Sequence, residues 1–202
     1  LDIGCGKPDF LLQLTKTGNI RSMGIDFTSA QWEDPKYKNL TLLEGDWRNI
    51  ELHKKFDLIT AWHYLEHDYQ LNQTIEKCKQ LLKPNGILII EVPMYQGIIQ
   101  KIQKNYWQGW HSPRHISLFS FKSWKMIFSE NDWEIVKHRK YGTMSAFTLW
   151  WLGYQQKKNI NWSLSMESHF WNLVFWKVLL MPLFLLEQII PMGIQTIVLK
   201  KK

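Results

Sequence analysis

Short runs rich in Val, Ile and Leu alternate with amphipathic stretches through the first two thirds of the chain, as in βαβ units wound about a parallel sheet. The apolar runs at 1–3, 22–26, 40–43, 58–61 and 86–92 predict five strands, each ending where polar residues begin. Between the fourth and fifth, Ile75, Cys78, Leu81 and Leu82 fall on one face of a helix, and Pro84-Asn85-Gly86 is expected to stop it and start the next strand. Phe10 to Leu14 reads as a helix, Phe121, Trp124, Ile127 and Phe128 form a second helical stripe, and 133–138 and 194–199 read as two further strands. Residues 94–119 follow a strand's carboxyl end without regular periodicity, a place where α/β proteins keep substrate loops.

The segment 170–190 breaks the pattern, with only Lys177 and Glu187 as charges. Its length and apolarity suit a membrane span. If the last strand returns to the same sheet as 133–138, however, the chain cannot cross a bilayer between them. Pro182 is expected to divide the segment into two short helices. The insert 142–193 therefore reads as a helical lid with an exposed apolar face, or as a surface that makes peripheral membrane contact through 165–190. A net charge of +4 over 142–202 and tryptophans beside lysines fit a headgroup boundary.

At 202 residues, 45% hydrophobic and 21% charged, the chain fits one folded domain spanning 1–202, and its opening inside a strand predicts an N-terminally incomplete one. Cys5 and Cys78 are too few for a disulfide framework, so a reducing cytoplasm is expected, extending to the inner face of the membrane. The net charge of +7 invites a polyanion, but the lysines are dispersed and no nucleic-acid motif is present. An anionic membrane or small anionic substrate is therefore preferred to nucleic acid.

The candidate chemistry begins at Asp2-Ile3-Gly4-Cys5-Gly6, where a strand ends and a helix follows. A glycine turn there lets backbone N–H groups approach a ligand. Asp26 ends the next strand at the spacing from Gly6 by which an acid reaches ribose hydroxyls. Glu44-Gly45-Asp46, after the third strand, places an acid where it can accept from an adenine amino group. Alone, each Asp is equally well a strand-end cap; together with the turn they point to a nucleoside-bearing cofactor. An NAD-type fold would need a third glycine where Asp9 stands.

On these residues, with Phe56-Asp57-Leu58-Ile59, His63-Tyr64-Leu65-Glu66-His67, Leu81-Leu82-Lys83-Pro84-Asn85-Gly86 and Pro113-Arg114-His115, the chain resembles the class I S-adenosylmethionine (SAM)-dependent methyltransferases of the ubiquinone-biosynthesis type. The resemblance covers most of residues 1–140. It implies a Rossmann-like, doubly wound seven-stranded α/β sheet of order 3-2-1-4-5-7-6, the last strand antiparallel. It also implies SAM as cofactor: Gly4 and Gly6 under the methionine part, Asp2 orienting the turn or the methionine amino group, Asp26 on the ribose, and Asp46 with Trp47 flanking adenine. Cys5, Phe27 and His63 are counted with this set. The family's third glycine is here Pro8, tolerated in the first turn of a helix.

SAM carries an activated methyl, so neither a triad nor a metal is expected; positioning, water exclusion and a base are. His67 is the first candidate base, followed by His115 and His111. Glu66, Trp107, Trp110 and Arg114 are candidate substrate contacts, with the tryptophans either lining an acceptor pocket or anchoring the loop, and Arg114 either binding an anionic group or pinning the loop to Glu91 or another acid. The acceptor is expected to be a small or lipid-linked hydroxyl compound. A catalytically silent membrane-surface or partner-binding module is the rival reading.

Overall fold

In the computed structural model, which describes residues 1–18, 20–128, 131–158 and 169–202, the strands form one sheet in the order β3-β2-β1-β4-β5-β7-β6. The strands are β1 (Asp2–Ile3), β2 (Met23–Asp26), β3 (Thr41–Glu44), β4 (Phe56–Trp62), β5 (Leu82–Pro93), β6 (Trp133–Arg139) and β7 (Ile194–Lys201). Neighbours among β1 to β5 pair in parallel, whereas β7 pairs antiparallel with both β5 and β6. This is the architecture the resemblance implies. The strand order reverses between β1 and β4, and open α/β sheets bind ligands outside the carboxyl ends of the strands at such a point.

Ile3, Ile25, Ile59, Ile90, Ile197 and Leu199 are buried in one continuous core along the sheet. Each such side chain contributes roughly 1.5–3 kcal/mol by leaving water. Helix α1 (Asp9–Lys16) follows the glycine turn and buries Leu11, and α2 (Leu71–Leu81) buries Thr74, Cys78 and Leu81. Helix α4 (Phe121–Ile127) is closed by a Ser120/Ser123 capping box and stacks Trp124 on Phe119.

A second, smaller core forms above the carboxyl end of β5. It joins Ile99 of α3 (Ile98–Gln103), Trp107, Ala146 and Leu149 of α5 (Ala146–Lys157), Met192 and Ile194. The insert and the loop after β5 thus build one cap together.

Two local expectations are corrected. Pro84-Asn85-Gly86 does not separate helix from strand: Leu82 already pairs with Phe56, and the next pairing is Leu58 with Ile87, so the tripeptide bulges out within β5. Asn85 takes the left-handed conformation this needs, at φ 62°. Pro182 does not divide the apolar segment either. Helix α6 (Phe170–Phe184) runs through it and tightens into a 3-10 turn at Leu185–Gln188. So close to the end of α6, proline's missing N–H costs a single bond and the change of pitch absorbs the rest. Residues 159–168, and with them the start of the predicted contact segment 165–190, lie outside the described residues.

Candidate functional site

The bend after β1 is built from backbone bonds to β2. The N–H groups of Gly4 and Cys5 both donate to the Ile25 carbonyl, at 2.8 and 3.1 Å. Gly4 and Gly6 hold positive φ values of 68° and 46°, which favour glycine. A Cβ at Gly4 would lie 2.6 Å from the Tyr64 ring, whereas one at Gly6 would enter open space. The bend is therefore packed on one side and open on the other, and the open side suits a ligand lying close to the backbone. Pro8 stands just ahead of α1, and its carbonyl accepts from Leu12 N at 3.0 Å, so it starts the helix without breaking it. Cys5 points into the protein, where burial pushes its thiol up to about 12; only its backbone faces the bend.

The acids converge on this bend. Asp26 accepts from Gly6 N through Oδ2 at 2.8 Å and from Thr28 N through Oδ1 at 3.3 Å. Gly45 N donates to the Asp26 carbonyl at 2.8 Å, bringing the Gly45-Asp46 turn to the same end of the sheet. Phe27 is 56% exposed beside Asp26, an aromatic face open to a ring-bearing ligand. Asp46 is held by Arg48, whose Nη2 donates to Oδ2 at 2.8 Å, and this keeps its carboxyl below the usual range. Trp47 lies in the main core beneath the Lys77 ammonium, so its side chain anchors the turn. Asp2 is buried and accepts from the Thr60 hydroxyl at 2.6 Å; burial raises its pKa to about 6. It therefore fixes β1 to β4 beneath the bend.

At the carboxyl ends of β4 and β5, the histidines that lie apart in sequence come together. Ring centroids are 4.7 Å apart for His67 and His115, 5.0 Å for His111 and His115, and 6.5 Å for His67 and His111. His67 Nδ1 lies 3.0 Å from the Arg114 carbonyl and His115 Nδ1 lies 2.7 Å from the Gly109 carbonyl. A carbonyl only accepts, so each Nδ1 carries a proton, and in the neutral ring it is Nε2 that has the lone pair. Burial lowers the pKa of both His115 and His111, which favours their neutral, proton-accepting form. The Glu66 carbonyl accepts from Ile116 N and Ser117 N at 2.8 and 3.3 Å, tying the loop to the Leu65–His67 turn.

Beneath them sits an ion cluster. His63, in the left-handed region at φ 52°, approaches Glu66 at 3.4 Å through Nδ1 and Glu91 at 3.3 Å through Nε2. Burial opposes its charge, but the two carboxylates prevail and hold the imidazolium up to about 9. Glu91 also accepts from Thr143 N at 2.9 Å and Thr196 Oγ1 at 3.0 Å. Against the cost of burial, His63 and Thr143 draw its pKa down. Arg114 therefore does not pin the loop to Glu91; the loop is held through its backbone, and the Arg114 side chain is exposed. Glu66, His67 and His115 each bring one ligand atom within 4.8 Å of the others, a donor set that a divalent cation would accept, although the sequence reading expects no metal.

Of the candidate aromatic contacts, Trp107 is buried in the cap's core and acts as a loop anchor. Trp110 is half-buried, packs edge-on against Trp107 and Tyr95, and donates from Nε1 to the Lys104 carbonyl at 2.7 Å. Four further residues matter to which the sequence assigns no role. Trp32 Nε1 donates to the Gly6 carbonyl at 2.8 Å; Tyr64 packs on Gly4; Thr143 and Thr196 hold Glu91. Each touches a segment remote in the chain, and only Tyr64 falls within one of the motifs, His63-Tyr64-Leu65-Glu66-His67, which by itself gives it no role.

Comparison with known proteins shows the family and the fold. A family model described as a methyltransferase domain matches residues 1–138. The ubiquinone biosynthesis O-methyltransferase of Histophilus somni is 35% identical over 100 residues, covering 44% of this chain and 42% of its own length. That of Pasteurella multocida is 33% identical over 105 residues, covering 44% and 43%. The chain thus spans less than half the length of these relatives. Among solved structures, one assigned as a sarcosine dimethylglycine methyltransferase from Galdieria sulphuraria covers all of this chain and 76% of its own with a TM-score of 0.60, at 13% identity. That likeness is one of fold. With the glycine bend, the acidic strand tips and the sheet order in place, the chain belongs to the methyltransferase domain family, whose cofactor is SAM.

Proposed function

We propose that this chain catalyses SAM-dependent methylation of a hydroxyl group on a small or lipid-linked acceptor, with His67 as the base. The observation that carries this reading is the hydrogen bond from His67 Nδ1 to the Arg114 carbonyl at 3.0 Å. It fixes the tautomer that leaves Nε2 free to take a proton, at the rim between the cofactor end of the sheet and the cap. The relatives named as O-methyltransferases support an oxygen acceptor, and the apolar cap supports a lipid-linked one.

When bound, SAM supplies a methyl group already activated on a sulfonium. The chain's own residues would bind and orient it: the Gly4-Cys5-Gly6 backbone would face the methionine part, Asp26 would accept from the ribose hydroxyls, and Phe27 and the Asp46 turn would border adenine. His67 Nε2 receives the proton from the acceptor hydroxyl, and the buried Glu66 carboxylate stabilises the imidazolium that results. His115 holds the His67 ring edge-on at 4.7 Å.

Calorimetry with SAM and its demethylated product, followed by turnover of labelled SAM with phenolic acceptors with and without a prenyl tail, tests this. His67→Gln is expected to keep cofactor affinity and to lower kcat by about a hundredfold or more. A chain that binds neither SAM nor its product is a silent module, and the reading fails.

A further inference from the structure

Helix α6 packs by one apolar side and leaves a second apolar side facing out. On the packed side, Trp176 lies 5.4 Å from Trp150 and 5.5 Å from Tyr154, and Phe184 lies 5.5 Å from Phe147. At the helix end, the Glu187 carboxylate accepts from Ala146 N at 2.9 Å. The contacts therefore run along the helix and fasten it flat against α5. On the opposite side, Trp171, Phe175, Val178, Leu185 and Ile189 form one stripe at helical spacing, each between 60% and 79% exposed. The segment Phe170–Gln188 has the length and apolarity of a membrane span, but a helix fastened along its side and followed by β7 in the middle of the sheet cannot stand across a bilayer.

We infer that α6 is a monotopic docking surface for an anionic bilayer, lying in the membrane plane with its stripe among the acyl chains. Charge decides between a bilayer and a second copy of the chain. Across the cap (described residues 94–119, 140–158 and 169–193) there are seven Lys and Arg (Lys101, Lys104, Arg114, Lys140, Lys157, Lys158 and Lys177) and one acid, Glu187. Two copies meeting through the cap would bring its excess of cations together, whereas anionic headgroups neutralise it. Lys177 on α6 itself can extend its stem along the apolar face and place its ammonium at the headgroups. A soluble monomer rarely exposes so continuous an apolar face without a partner. The inference stands apart from the acceptor assignment, because it concerns the face and not the chemistry. If both hold, docking presents the His67 cluster to acceptors at the lipid surface.

Flotation of the full chain with phosphatidylcholine vesicles, with and without phosphatidylglycerol, tests the inference. Binding to the anionic vesicles that weakens with salt is expected. The Trp171→Ser/Phe175→Ser/Val178→Ser/Leu185→Ser variant alters exposed side chains only; circular dichroism should report an unchanged fold while bound protein falls by about tenfold or more. Lys101→Gln/Lys104→Gln/Lys157→Gln/Lys158→Gln should bind more weakly and lose most of the salt dependence. The inference is overturned if the parent chain floats with neither vesicle, or if the serine variant floats as well as the parent. It is also overturned if sedimentation shows a parent dimer that the serine variant turns to monomer without any vesicle binding.

Discussion

The backbone N–H of Gly6 donates to Asp26 Oδ2 at 2.8 Å, so the glycine bend and the acid twenty residues later form one joined structure. The carboxylate that would hold a ribose is also the group that fixes the bend. Loss of either should therefore disturb the other.

Asp26→Ala removes both functions. Affinity for S-adenosylhomocysteine, measured by calorimetry, is expected to fall about ten- to a hundredfold, the value of one or two charged hydrogen bonds. Asp26→Asn, which can still accept from Gly6 N, should lose less. Equal affinity in parent and Ala variant would remove Asp26 from the cofactor site.

The two glycines of the bend should respond differently to alanine. At Gly4 the new Cβ would lie 2.6 Å from Tyr64, and the φ of 68° is also unfavourable, so Gly4→Ala should lower stability by roughly 2–3 kcal/mol. At Gly6 the space is open and only the φ of 46° resists, so the stability cost should be about 1 kcal/mol. Cofactor binding should nevertheless suffer severely in Gly6→Ala. Chemical denaturation beside calorimetry separates the two effects, and a Gly6→Ala protein that binds normally would place the ligand elsewhere.

The pH dependence follows from His63. Its pKa is raised from 6.5 to about 9, so the stability it supplies is complete below pH 6.5 and is lost as pH rises toward 9. Glu91, drawn down by the same pairing, adds stability above its ordinary pKa of 4.5 that is lost on acidification. Between pH 6 and pH 9 the parent should lose on the order of 1–2 kcal/mol more than His63→Gln, allowing for partial exposure. Urea midpoints at the two pH values give this difference directly; parallel curves for the two proteins would refute the pairing.

Arg48 bridges Asp46 and the buried Asp68, donating to Asp68 Oδ1 from Nη1 at 3.0 Å. Arg48→Ala strands that carboxylate and should cost about 3 kcal/mol. Adding Asp68→Asn should recover more than half of the loss, because a neutral amide tolerates burial. No recovery in denaturation experiments would show that Arg48 acts through Asp46 or through packing and not through Asp68.

Much of the site was readable because its chemistry is local. Gly4, Gly6 and Asp26 stand at strand ends, where alternation stops and backbone geometry is forced, and their spacing reflects one βαβ unit. The bulge at Asn85 and the helix through Pro182 were misread for a related reason. Both positions carry strong local breakers, and in both the surrounding pairing or packing outweighs a cost of a few kcal/mol. The clustering of His67, His111 and His115 could not be read at all. It depends on how the Glu66 carbonyl receives the backbone of a loop fifty residues away.

The sequence by itself determined the alternation of elements, the glycine bend and the acidic strand tips, because periodicity and turn chemistry act over a few residues. Tertiary structure alone decided which side of Gly4 is filled, which acids embrace His63, and which face of α6 is left uncovered. Those are contacts between segments far apart in the chain, and only the folded sheet sets their distances.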